Sequence, residues 1–139
     1  MKRITLTLQA PYVGLRPFGA REAMLFFGRE QHTQELLGRI EGGQRFITVL
    51  GVSGAGKSSL VRAGMVPALH RGALASSGCI WNVCIFRPGD APLTNLAQAL
   101  TEHLGSSDGE QRTYAAASLS AALAMSPLAL TELYRQKAD

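Results

Sequence analysis

Two cysteines in 139 residues are too few to build a cross-linked scaffold. Cys79 and Cys84 lie five apart in an apolar run, so a strand would turn them to opposite faces and no disulfide would join them. With no further cysteine pair and no clustered histidines, they do not read as a metal site. Buried free thiols in a reducing cytosol is the plain reading. Long hydrophobic runs are also missing. The nearest, Leu119 to Leu130, is short and broken by Ser120, Ser126 and Pro127, so a membrane span is not expected. Met1-Lys2-Arg3 imitates the start of a signal peptide, but Ile4 to Gln9 alternates apolar and polar residues and is too polar for an apolar signal core. Blocks of like charge are absent too. The net charge of +4 is scattered, and aromatic residues make up 6% without interleaving the basic ones. Neither a nucleic-acid surface nor a membrane surface is signalled.

What is present is glycine in a particular pattern. Gly51-Val52-Ser53-Gly54-Ala55-Gly56-Lys57-Ser58 fits the phosphate-binding loop G-x-x-x-x-G-K-[ST], the Walker A motif, at every fixed position. The motif needs a strand before it and a helix after it. Phe46-Ile47-Thr48-Val49-Leu50 is β-branched and apolar and predicts a buried strand. From Ser58 to Leu69, apolar residues at 60, 61, 65, 66 and 69 recur at helical spacing. Glycines let such a loop curl around an anion with its N–H groups turned inward. The helix start adds unpaired N–H groups and the positive end of a dipole. Gly51, Ser53, Gly54, Ala55, Gly56, Lys57, Ser58 and Ser59 are therefore the candidate nucleotide-binding residues. Lys57 would reach the β- and γ-phosphates, and the Ser58 hydroxyl would ligate Mg²⁺.

Around this loop the chain reads in order. Residues 1–9 are a short strand or a loose tail. Ala10 to Gly19 carries two prolines and two glycines and predicts an ordered, extended loop with Tyr12, Leu15 and Phe18 as apolar anchors. Residues 20–27 predict one or two helical turns stopped by Gly28. A helix follows through Gly43, with Leu36, Leu37 and Ile40 on one face. Residues 79–86 predict a second strand, and Arg87 to Pro92 a turn-rich loop. Leu93 to Leu104 carries a helical stripe at 93, 96, 97, 100 and 104. Segments 111–125 and 128–137 are Ala- and Leu-rich helices separated by Pro127.

Taken together, Pro11 to Phe18, Phe26-Phe27-Gly28-Arg29-Glu30, Gly51 to Ser58, Ser59-Leu60-Val61-Arg62-Ala63-Gly64 and Arg87-Pro88-Gly89 resemble the start of the novel STAND NTPase 1 family. STAND proteins are multidomain signal-transduction ATPases related to AAA+ proteins and to the apoptotic and plant-resistance switches. The resemblance covers about residues 10–104 in the family's order. It implies an α/β fold: a P-loop NTPase, three-layer α/β/α with a parallel sheet, here incomplete and with a helical C-terminal tail. It implies a docked N-terminal segment over 1–27 and a partial NTPase domain over 28–139. It implies ATP and Mg²⁺ as ligands, a nucleotide-dependent signalling switch in the cytoplasm, and oligomerisation or completion by further domains. It places Gly28 and Arg29 near adenine and ribose, where the residues alone read equally as a helix cap followed by an N-terminal acid. Arg16 reads as part of a marker loop packed on the core, with a direct ligand role as the alternative. Arg62 faces phosphate or solvent, and Arg87-Pro88-Gly89 is a site mouth or a plain turn.

The family's second acidic motif, an apolar strand ending in Asp or Glu, is not found. The acids after the loop are Asp90, Glu102, Asp108, Glu110, Glu132 and Asp139, and none ends an apolar strand. The expectation is a domain cut before that Walker B strand, exposing an apolar sheet edge and not hydrolysing ATP by itself. A regulatory or scaffold fragment that binds nucleotide, or only a partner chain, is the alternative.

Overall fold

A computed structural model of the chain describes residues 14, 16–74, 80–104 and 109–138. The expectations for the N-terminal tail, for Tyr12 and Leu15 and for Cys79 lie outside these residues. The chain divides into two compact units, Met1–Asn82 and Val83–Asp139.

The first unit opens with a 3-10 turn, Ala20–Leu25. Glu22 starts it by a reciprocal arrangement: its N–H donates to the Gly19 carbonyl and its carboxylate accepts the Gly19 N–H. Helix α1, Glu30–Glu41, buries Leu36 and Leu37. It ends at Gly42 and Gly43, whose N–H groups close back on the carbonyls of Gly38 and Ile40. Helix α2 is built from three pieces: α-helical Lys57–Ser59, π-helical Leu60–Met65 and α-helical Val66–His70. Within the π stretch the Val66 N–H reaches the Val61 carbonyl, five residues back. Pro67 follows, with no N–H to offer the carbonyl of Ala63, so the register of the ladder shifts where an ordinary helix would lose a bond. The core of this unit is Leu37, Ala68, Leu69 and Leu74, with Ile40, Met65 and Trp81 packed against it.

The second unit is a helical hairpin with an addition. Helix α3, Pro92–His103, starts on proline, whose missing N–H costs nothing in a first turn. It packs on α4, Gly109–Met125, with Ala97 fully buried and Ala116 nearly so. Helix α5, Ala129–Ala138, follows Pro127 as the sequence spacing predicts.

The expected three-layer α/β/α parallel sheet is not there. Among the described residues no strand forms, and the secondary structure is helical throughout. The reason is visible in the two runs that read as strands. Residues 46–50 carry no regular secondary structure, and Ile47 and Val49 are half-buried while Phe46, Thr48 and Leu50 face out. That is a strand's alternation without a ladder to complete it. A strand exists only when its N–H and C=O groups meet a neighbour's. Residues 80–86 likewise carry no strand. The expected apolar sheet edge falls with the sheet. Apolar exposure remains, with Phe46 at 87% and Leu50 at 86% of their full accessibility.

Candidate functional site

The loop between residue 50 and α2 is shaped by glycine where its conformation demands it. Gly54 and Gly56 have φ of 79° and 78°, left-handed values that a side chain would strain. Gly56 is the residue before α2, so the chain turns there directly into Lys57. The Lys57 ammonium folds back and donates to the carbonyls of Gly51 and Val52, at 2.8 Å each. The loop is thereby held by its own lysine.

A cleft of about 630 Å³ lies against this loop. Ser53, Gly54, Ala55, Gly56, Lys57, Ser58 and Ser59 form one wall, as the motif requires. The opposite wall comes from the proline loop and the residues after it, including Arg16, Phe18, Phe26, Phe27 and Arg29. Gly51 is not among the lining residues; its part is the carbonyl that holds Lys57. Gly28 does not line the cleft either. It takes a left-handed turn, and its N–H donates to the Glu30 carboxylate at 2.9 Å, the bond that together with Glu30's own N–H holds that carboxyl below its ordinary range. Arg29 lies at the rim of the loop: its Nη2 donates to the Ala55 carbonyl at 3.4 Å. Arg62 is half-buried on α2 and does not line the cleft. Arg87-Pro88-Gly89 is a turn whose Pro88 carbonyl accepts from the Asn95 amide at 2.8 Å.

The charge pattern is one-sided. Among the described residues, the charged ones lining the cleft are Arg16, Arg29 and Lys57, with no carboxylate. Arg16 is paired to Glu22 through both carboxylate oxygens, and its arm is more than half exposed while that of Glu22 is largely covered. The Arg16 guanidinium, helped by the Gly19 N–H, lowers the Glu22 carboxyl to about 2. Such a cleft attracts an anion. Phe18 and Phe26 pack with ring centres 5.9 Å apart and give its other side an apolar character.

Ser59 takes a different place from the one its position in the motif suggests. Its side chain is buried and its hydroxyl accepts the Phe18 N–H at 3.1 Å. The serine fastens the far wall of the cleft to the start of α2. The family resemblance pointed to Arg16 to Phe18 as a packed marker loop, with a ligand role for Arg16 as the lesser alternative; the structure places all three residues on the cleft.

No group of three or more His, Cys, Asp or Glu residues among the described ones is placed to hold a metal ion. The Ser58 hydroxyl at the loop is exposed. In the second unit Cys84 is a free, half-buried thiol, raised by burial and by the nearby Glu102. No helix of the described residues is long and apolar enough to cross a membrane.

Comparison with known proteins adds one finding. The family model described as Novel STAND NTPase 1 matches residues 11–138. No curated protein and no solved structure matches the chain. The match spans the cleft, the glycine loop and both helical units, and the chain belongs to the Novel STAND NTPase 1 family.

Proposed function

We propose that the cleft takes a nucleoside triphosphate, ATP, together with Mg²⁺. The observation that carries this reading is the cleft's lining: a left-handed glycine loop opening a helix, three cations and, among the described residues, no carboxylate. The phosphates sit against Ser53 to Ser59, where N–H groups and the start of α2 face them. Lys57 exchanges the carbonyls of Gly51 and Val52 for phosphate oxygens. Ser58 contributes its hydroxyl to the ion, whose remaining ligands are phosphate and water. Arg29 frames the nucleoside end from the opposite wall, with Gly28 in the turn just before it. Mg²⁺, when bound, neutralises the developing charge on the phosphates; the chain's own residues orient and hold them.

In this reading the domain serves as a nucleotide-dependent switch. Bound ATP favours one arrangement of a larger signalling assembly by binding that arrangement more tightly than the other. Calorimetric titration with ATP and Mg²⁺, beside Lys57→Ala, tests the binding step. Saturable heat in the parent chain that is lost in the variant supports the reading; no heat in either sinks it. Phosphate release measured on the same samples separates a binding module from an ATPase. The expected rate for this chain is background, and a Lys57-dependent turnover would overturn that expectation.

A further inference from the structure

Helix α1 meets α2 at a glycine. Gly64 is buried in the π-helical stretch. A Cβ there would stand 2.6 Å from the Thr33 hydroxyl and 3.5 Å from the Phe26 ring. No real Cβ tolerates the first distance, so the absence of a side chain at 64 is what lets Thr33 sit where it does.

Thr33 uses that place. Its hydroxyl donates to the Arg29 carbonyl at 3.0 Å, and its N–H donates to the same carbonyl at 3.0 Å. The residue so held by its backbone is the one whose guanidinium meets the Ala55 carbonyl in the glycine loop. Phe26 and Arg29 both line the cleft. A chain of contacts thus runs from the middle of α2, through Thr33, to the cation at the rim of the cleft.

We propose that Gly64 and Thr33 are positioning residues for the nucleotide site. Gly64 makes room for the Thr33 hydroxyl, and Thr33 fixes the start of α1 so that Arg29 meets the phosphate-binding loop. A methyl group at 64 forces Thr33 into another rotamer, breaks its bond to the Arg29 carbonyl and lets Arg29 drift from Ala55. The π stretch belongs to the same device, since it carries Gly64 between two α-helical pieces. The inference rests on the cleft being a nucleotide site.

The test is titration of the full chain with a fluorescent N-methylanthraniloyl derivative of ATP and Mg²⁺. Gly64→Ala, Thr33→Ala and the double variant are compared with the parent, and thermal unfolding is recorded for each. Gly64→Ala is expected to weaken binding about three-fold or more, the low end of coupling between residues in contact. Thr33→Ala and the double variant are expected to be weakened alike, because both lack the hydroxyl that bonds the Arg29 carbonyl. Should Gly64→Ala not fold, Thr33→Ser and Thr33→Val serve instead: serine keeps the hydroxyl and binds like the parent, while valine keeps the shape and binds more weakly. Equal binding by parent and Gly64→Ala overturns the inference even if the unfolding temperature falls, since that is what a purely structural glycine would do. So does a double variant, or a valine variant, that binds like the parent. Absence of saturable binding in the parent itself overturns the nucleotide reading, and the positioning role with it.

Discussion

The Phe18 N–H donates to the Ser59 hydroxyl at 3.1 Å across 41 positions of sequence. This bond ties the proline loop to the first turn of α2, and the cleft lies between the two. Replacing Ser59 by alanine leaves a partly buried donor unpaired. The expected loss is about 1–2 kcal/mol of unfolding free energy, read from urea denaturation. A variant as stable as the parent would show that Phe18 finds another acceptor.

Lys57 has two carbonyl partners in the loop and is half-buried. Lys57→Ala is expected to weaken triphosphate binding by about ten-fold or more, a loss of about 1.4 kcal/mol or greater. The circular dichroism spectrum should not change, because the helices do not depend on that ammonium. Equal affinity would remove the loop from the binding site.

Glu22 titrates far below its ordinary range, near 2 rather than 4.5, because of Arg16 first and the Gly19 N–H second. A carboxyl lowered on folding stabilises the folded chain above its unfolded value and loses that effect as pH falls toward the folded one. Glu22→Gln is therefore expected to be less stable than the parent at neutral pH. The gap should narrow between about pH 4.5 and 2. Denaturant midpoints measured across that window check it; a constant gap would mean that the Arg16 pair does not contribute through charge.

Ala97 has no accessible surface at the contact of α3 with α4. Ala97→Leu would overfill that contact and is expected to cost about 1–3 kcal/mol. The loss of helical signal on heating reads it directly. Ala121, exposed on α4, serves as the control and should tolerate leucine.

Phe46 and Leu50 stand almost wholly in solvent on a segment without regular secondary structure. Exposed aromatic and aliphatic surface of this kind recruits apolar dyes and neighbouring chains. Phe46→Ser with Leu50→Ser should lower the fluorescence of bound anilinonaphthalene sulfonate while leaving the helical spectrum intact. Unchanged dye binding would place the apolar surface elsewhere.

The helices were legible because a helix satisfies its own backbone within four residues. Leu36, Leu37 and Ile40, and Leu93, Leu96, Ala97 and Leu100, each name a face without reference to anything distant. Pro127 marks a start for the same local reason, while Pro92, read as the end of a turn-rich loop, is itself the first residue of α3. The glycine loop was legible too. Left-handed turns at Gly54 and Gly56 followed by a helix starting with Lys57 are written in eight consecutive residues. Residues 46–50 and 80–86 were misread because β-branched composition states a preference, while a strand is a relation between two segments. Composition could not say that these runs would carry no ladder.

By itself, then, the sequence determined the helical stripes, the glycine loop at the head of α2 and the family. Those depend on spacing within a few residues. Tertiary structure alone decided that Arg16 pairs with Glu22 at the cleft, that Ser59 fastens Phe18, and that Gly64 lies against Thr33. Each joins side chains or backbone from segments whose distance is set only when the helices pack, and no local pattern encodes that distance.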